Sequence, residues 1–198
     1  MQNKKREIGL FFGSFNPIHI GHLAIANYIT EFTDIKELWF VVTPQNPWKK
    51  SSNLIADRQR QYMVELAIDK YDKFKFSDIE FNLPKPNYTI NTLAYLKEKF
   101  PTKTFSLIMG GDNLQHFKKW KNYELILKEH KIYVYKRHKY LDKIPDDIDN
   151  TENIIVVDAP LIEISSSFIR DCIKNDKDIR FFVPKETYKY IVSNNYYK

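Results

Sequence analysis

The stretch from Gly13 to His22, GSFNPIHIGH, holds two histidines three residues apart, His19 and His22, in one segment with glycine, serine and proline. Gly13 and Ser14 let backbone N–H groups come close to an anion, Pro17 stiffens the turn, and a helix opening near Gly21 adds the positive end of its dipole. This reads as a phosphate cradle. At that spacing across a loop-to-helix junction both imidazoles can face the cradle and donate to phosphoryl oxygens. Neither GxGxxG nor GxxxxGK followed by Ser or Thr is present, so the two common nucleotide fingerprints are excluded. A structural histidine pair and a metal site are the competing uses. No carboxylate or thiol stands nearby at ligand spacing, and zinc requires three or four protein ligands, so no metal is assigned here.

A second chemical segment lies near the other end, EISSSFIRD from Glu163 to Asp171. Three serines precede an apolar helical turn, so Ser165 or Ser166 can cap the helix while hydroxyls and free N–H groups grip another phosphate. Arg170 falls one turn inside, and its planar guanidinium can bridge two phosphate oxygens, which Lys does less well. Taken alone, the segment could equally be a capped helix with a solvated arginine.

These segments need a scaffold, and the chain supplies the material for one. Its 198 residues are 43% hydrophobic, 15% aromatic and 28% charged, enough for one packed domain spanning residues 1–198 and too apolar for a disordered chain. Apolar runs at Ile8 to Phe12, Leu38 to Val42, Phe74 to Phe76, Thr104 to Met109, Ile132 to Tyr135 and Ile154 to Val157 read as strands. Helix-period segments lie between them, at His22 to Glu31, Ala56 to Lys70, Thr89 to Lys99 and Tyr123 to Glu129, and at Ser166 to Lys174 and Lys185 to Val192. Strands such as FSLIM are apolar throughout, as in parallel strands covered on both faces. The expected fold is α/β, a Rossmann-like doubly wound parallel sheet with flanking helices and a short helical C-terminal part from about residue 160. Ligands of such sheets bind at the carboxyl ends of the strands, where both segments and the glycines Gly110 and Gly111 belong.

Several classes of function drop out. No apolar run approaches the roughly 20 residues of a spanning helix, and the start MQNKKREIGLFFG has no signal-like region, so no membrane partner is expected. A single cysteine, Cys172, makes no internal disulfide or CxxC pair, and a reducing cytoplasm is the default. The net charge of +6 suits an anionic ligand, but the basic residues are scattered among acidic neighbours, so nucleic acid is not the expected partner. Quaternary state is not legible, and a homo-oligomer is compatible with the sequence.

A Gly-Ser-Phe-Asn-Pro-x-His-x-Gly-His loop after strand one, with a late Ile-Ser-Ser-Ser-x-Ile-Arg segment, resembles the HxGH-type nucleotidyltransferase superfamily. Within it the chain is similar to the bacterial nicotinate-nucleotide adenylyltransferases, with further family-like stretches at TPQNPWKK, NYTINTL, MGGDNLQHFKKW and DIRFFVP. The resemblance implies AMP transfer from ATP to nicotinate mononucleotide, giving deamido-NAD and pyrophosphate, with Mg²⁺ held mainly by the ATP phosphates. It implies that His19, His22 and N–H groups from Gly13 to Phe15 contact those phosphates. Ser165, Ser166 and Arg170 would hold the outer phosphates that leave, and Asp112 would take ribose hydroxyls. For the mononucleotide it implies phosphate contact by Lys49 or Lys50, carboxylate binding at the N–H groups of Tyr88 and Thr89, pyridine stacking on Trp120, and a place for Asn16 in the substrate site. Asn16, Asn87 and Asn91 stand where the family more often has Asp, Ser and Asp; losing a charge at Asn16 argues against direct metal binding there.

The related rivals are adenylyltransferases of nicotinamide mononucleotide or phosphopantetheine, against which NYTINTL and Trp120 favour the nicotinate acceptor. A tRNA-charging or RNA-binding fragment is the rival from another class, because class I aminoacyl-tRNA synthetases also carry an HIGH segment, as His19 to His22 do here. A KMSKS-like loop and an anticodon-binding domain are missing from the sequence, and EISSSFIRD stands at the corresponding late position.

Overall fold

The structure, a computed structural model, describes residues 6–45, 54–137, 144–146, 148 and 151–198. Six strands form one sheet in the order β3-β2-β1-β4-β5-β6. They are β1 (Arg6–Gly13), β2 (Glu37–Val42), β3 (Phe74–Ser77), β4 (Lys103–Gly110), β5 (Ile132–Tyr135) and β6 (Ile154–Val157). All five pairings are parallel; Leu10 of β1, for example, lies opposite Trp39 of β2 and Leu107 of β4. The six runs read from the sequence are these six strands, and β2 and β5 are buried at every position, as two-faced coverage demands.

The helices follow the same logic. They are α1 (Ile20–Phe32), α2 (Asp57–Ile68), α3 (Thr89–Lys99), α4 (Gly111–Leu114), α5 (Tyr123–Glu129), α6 (Ser166–Lys174) and α7 (Lys185–Ser193). Alternate strand residues divide the core in two. On one side Phe11, Phe40, Val42 and Ile108 pack with Ile29 of α1, Met63 of α2, Ile169 of α6 and Ile191 of α7. On the other, Leu10, Val41, Leu107 and Val134 pack with Leu93 of α3, Leu114 of α4 and Ile126 of α5. The C-terminal helices therefore complete the layer begun by α1 and α2, and Thr187 of α7 donates to Met63 O at 3.2 Å.

Strand order reverses between β1 and β4, so a crevice opens at their carboxyl ends, where such sheets bind ligands. Gly13 and Gly110 end those two strands and line the crevice.

Candidate active site

The loop after β1 is held from behind by its own carbonyls. Gly13 O accepts from Thr43 N–H at 2.9 Å, Ser14 O from Arg60 Nη1 at 2.6 Å, Asn16 O from Arg170 Nη1 at 2.8 Å and Pro17 O from Ser166 Oγ at 2.8 Å. In a trans peptide the next N–H points opposite its carbonyl, so the Ser14 and Phe15 N–H groups face away from these anchors. Phe15 has φ 43°, and a left-handed residue in such a run is what gathers N–H groups into an anion nest. The tight turn explains Gly13: a Cβ there would meet the Phe15 ring at 2.8 Å.

His19 is the N-cap of α1 and His22 sits one turn in, which brings the two rings to a stacked 3.6 Å between centroids. His22 Nδ1 accepts from the His19 backbone N–H at 3.2 Å, so the neutral ring carries its proton on Nε2. Edge contacts with Phe15 at 5.0 Å and Phe11 at 5.9 Å between centroids fix that ring's plane. His19 is 3% exposed, its Nδ1 lacks a hydrogen-bond partner among the described residues, and burial, with help from nearby Arg137, lowers its pKa to about 3. A neutral imidazole can donate one hydrogen bond without carrying a charge into the site.

That shift sets the sign of a stability effect. An unfolded histidine protonates below its ordinary 6.5 while folded His19 stays neutral to about 3, so the unfolded state binds the extra proton and stability falls as pH drops through that window. One proton is worth about 1.4 kcal/mol per pH unit. The stability advantage of the parent over a His19→Asn variant should shrink by about that much per unit below pH 6 in denaturant melts. A gap that stays constant from pH 7 to 5 would contradict the buried neutral imidazole.

The late motif docks on this loop. Ser165 is the cap of α6, accepting from Phe168 N–H at 3.1 Å, while Ser166 reaches Pro17 and Arg170 reaches Asn16. Arg170 Nη2 also donates to Ser167 Oγ at 3.1 Å, which leaves further guanidinium N–H groups for a ligand. Asn16 is 2% exposed, and its Oδ1 accepts from Tyr197 O–H at 2.8 Å and Ile55 N–H at 3.4 Å. Its side chain is thus engaged within the protein, an arrangement the sequence reading did not foresee.

Opposite the loop, the crevice is lined by Tyr88 and Thr89 at the start of α3, by half-buried Trp120 and by Lys121. Lys121 Nζ lies 4.9 Å from the Tyr88 ring centroid, and Trp120 leans on Phe117 at 5.4 Å between centroids. Asn87 ties this wall to the loop after β2, exchanging bonds with Gln45 at 3.2 and 3.3 Å and donating to Glu80 O at 2.9 Å. Glu80 is 1% exposed and burial raises its pKa, against the pull of Thr92 and Thr43 hydroxyls. Asp112, in the first turn of α4, sits 3.8 Å from Arg137 Nε. Lys49 and Lys50 lie outside the described residues.

Sequence reasoning missed Arg60, Arg137, Glu80 and Tyr197. Arg60 had a signal: it shares a helical stripe with Met63, Val64 and Ala67, all buried. Arg137 also had one, since it follows the carboxyl end of β5.

Known proteins resemble the chain closely. The cytidylyltransferase-like family profile matches residues 10–172. A nicotinate-nucleotide adenylyltransferase of Flavobacterium psychrophilum is 55% identical over 192 residues, covering 97% of this chain and 99% of that protein. One from Flavobacterium johnsoniae is 53% identical over 197 residues, with 97% and 99% covered. Among solved structures, the Plasmodium falciparum nicotinic acid mononucleotide adenylyltransferase complexed with NaAD shares the fold, with a TM-score of 0.78, 21% identity and 97% of each chain covered. With the loop, the late helix and the crevice assembled as described, these relatives identify the chain as a member of the nicotinate-nucleotide adenylyltransferases, nucleotidyltransferases of the cytidylyltransferase-like family.

Proposed function

We propose that the crevice transfers AMP from ATP to nicotinate mononucleotide, with His19, His22 and Arg170 as the catalytic side chains. The mononucleotide phosphate oxygen attacks the α-phosphorus of ATP; one P–O bond forms, the bond to the β-phosphate oxygen breaks, and pyrophosphate leaves with the electron pair. A phosphate monoester has its second pKa near 6, so the nucleophile is already ionised and no general base is needed. What remains is alignment of two polyanions and stabilisation of charge on the α-phosphate and the leaving group.

His22 Nε2–H, His19 and the Ser14 and Phe15 N–H groups would meet the α- and β-phosphates. Arg170, Ser166 and the capped start of α6, with Ser165, would hold the departing pyrophosphate. On the opposite wall, the Tyr88 and Thr89 N–H groups would take the nicotinate carboxylate, Trp120 the pyridine face, and Asp112 ribose hydroxyls. Lys49 or Lys50 belongs to this reading as the mononucleotide-phosphate contact, and Asn16 keeps its place in the substrate site.

Nucleotidyltransferases of this kind use a divalent metal. No protein ligand set is assigned to that ion; in this reading the phosphate oxygens of ATP carry it. Mg²⁺ bound in that way would neutralise charge on the triphosphate. No helix among the described residues is long and apolar enough to cross a membrane, and the lone Cys172 supports a reducing, cytoplasmic setting.

The observation that supports this reading best is the bonding of Ser166 and Arg170 to consecutive carbonyls of the first loop, from about 150 positions away in sequence. Pyrophosphate release measured with ATP and each of three acceptors tests it. Release with nicotinate mononucleotide well above that with nicotinamide mononucleotide or phosphopantetheine is expected; preference for either of the others would reassign the acceptor.

A further inference from the structure

Beyond α7 the chain turns back on itself through Asn195 and Tyr197, both in the left-handed region, at φ 52° and 69°. A bulky L residue is rarely found there, and the conformation persists only where surrounding contacts over-determine it. The turn is tied down: Tyr196 N–H donates to Ile191 O at 3.1 Å, and the Tyr196 and Tyr190 hydroxyls are 3.2 Å apart.

The turn delivers one hydroxyl to one acceptor. Tyr197 O–H donates to Asn16 Oδ1 at 2.8 Å, joining residues 181 positions apart. Burial raises the phenol well above its ordinary value, against the pull of Arg170 and Arg60, so it remains an O–H donor at any working pH. Asn16 is therefore held at its side chain by Tyr197 O–H and, at 3.4 Å, by Ile55 N–H, and at its carbonyl by Arg170 Nη1 at 2.8 Å. A rotation of Asn16 would move the oxygen on which the guanidinium rests.

We propose that Tyr197 is a positioning residue for adenylyl transfer: its hydroxyl fixes Asn16, and Asn16 O fixes the guanidinium of Arg170 against the outer phosphates. This rests on the role given to Arg170 above. Tyr197 touches no reacting atom in this scheme, so its loss acts on turnover rather than on ground-state binding of either nucleotide.

Tyr197→Phe keeps the ring and removes only the hydroxyl. One neutral hydrogen bond corresponds to a fall in kcat of about three- to tenfold, with KM for ATP and for the mononucleotide within about twofold and the melting midpoint within about 3 °C. In an Asn16→Ala background, where the side-chain acceptor is gone, the same substitution should change kcat by less than about twofold. A smaller fall in the first background, a matching rise in KM, or a further threefold loss in the second would each overturn the proposal. Failure is separable from failure of the functional reading: an active parent with an unaffected Tyr197→Phe variant defeats the positioning role alone, while a parent that releases no pyrophosphate defeats both.

Discussion

Replacing His22 with alanine is expected to slow turnover by about two to three orders of magnitude while ATP affinity changes by only a few fold. The ring is held on three sides, by the His19 N–H on Nδ1, by the stacked His19 imidazole and by the edges of Phe11 and Phe15. Its Nε2 proton is thus fixed in direction before substrate arrives, the condition under which one donor aimed at developing charge contributes on the order of 2.7–4 kcal/mol to the barrier. The triphosphate is highly charged in the ground state too, but charge shifts toward the α-phosphate oxygens and the leaving group only as the bond breaks, so the contribution appears mainly in kcat. Steady-state kinetics and ATP calorimetry on the same preparation check it. Equal losses in turnover and affinity would show that His22 binds without discriminating the transition state.

The largest expected effect on stability comes from a residue outside the reaction. Arg60 is fully buried, and its guanidinium donates to Ser14 O at 2.6 Å, to Thr43 O at 3.0 Å, to Ile55 O at 3.2 Å and to Asp57 Oδ1 at 2.5 Å. One side chain thus ties the loops after β1 and β2 to the start of α2. Arg60→Ala would leave carbonyls without their donor inside the protein and Asp57 with only Lys85, 3.5 Å away on its other oxygen. Removing one member of a buried charged network costs about 3–5 kcal/mol. Denaturant unfolding should register a loss of that size, accompanied by weaker ATP binding because the Ser14 peptide is released. A loss below about 1 kcal/mol would mean that the loop holds its shape without the guanidinium.

How much of this was legible in the sequence depended on distance along the chain. The inner strands were readable because a parallel strand covered on both faces is apolar at nearly every position, as β5 is, while the edge strand β6 was read from its β-branched run although Val156 is exposed. α3, α5 and α6 likewise match their periodic segments. α4 was missed because two glycines and an aspartate open it, residues that read as a turn. The tight loop after β1 was legible through local spacing, and its pairing with the late serine-arginine segment, which docks on it, through the resemblance. Which serine caps α6 was open until the geometry gave that task to Ser165 and left Ser166 for Pro17. The tertiary bonds of Arg60 and Tyr197 were hidden for a different reason. The helical stripe marks Arg60 as buried but not its bond to Ser14 O, 46 positions away, and nothing local marks the bond from Tyr197 to Asn16, 181 positions away. Asn16 shows the consequence: its place in the loop put it in the expected substrate site, and only the geometry adds that its Oδ1 accepts from Tyr197.

The first loop and the late helix are expected to enclose a single triphosphate. A crystal structure with a non-hydrolysable ATP analogue and Mg²⁺ tests this most directly. The triphosphate should lie with phosphate oxygens within about 3 Å of His22 Nε2 and of the Ser14 and Phe15 N–H groups on one side, and of the Arg170 guanidinium on the other. A triphosphate bound against only one of those two segments, or outside the crevice between β1 and β4, would contradict it.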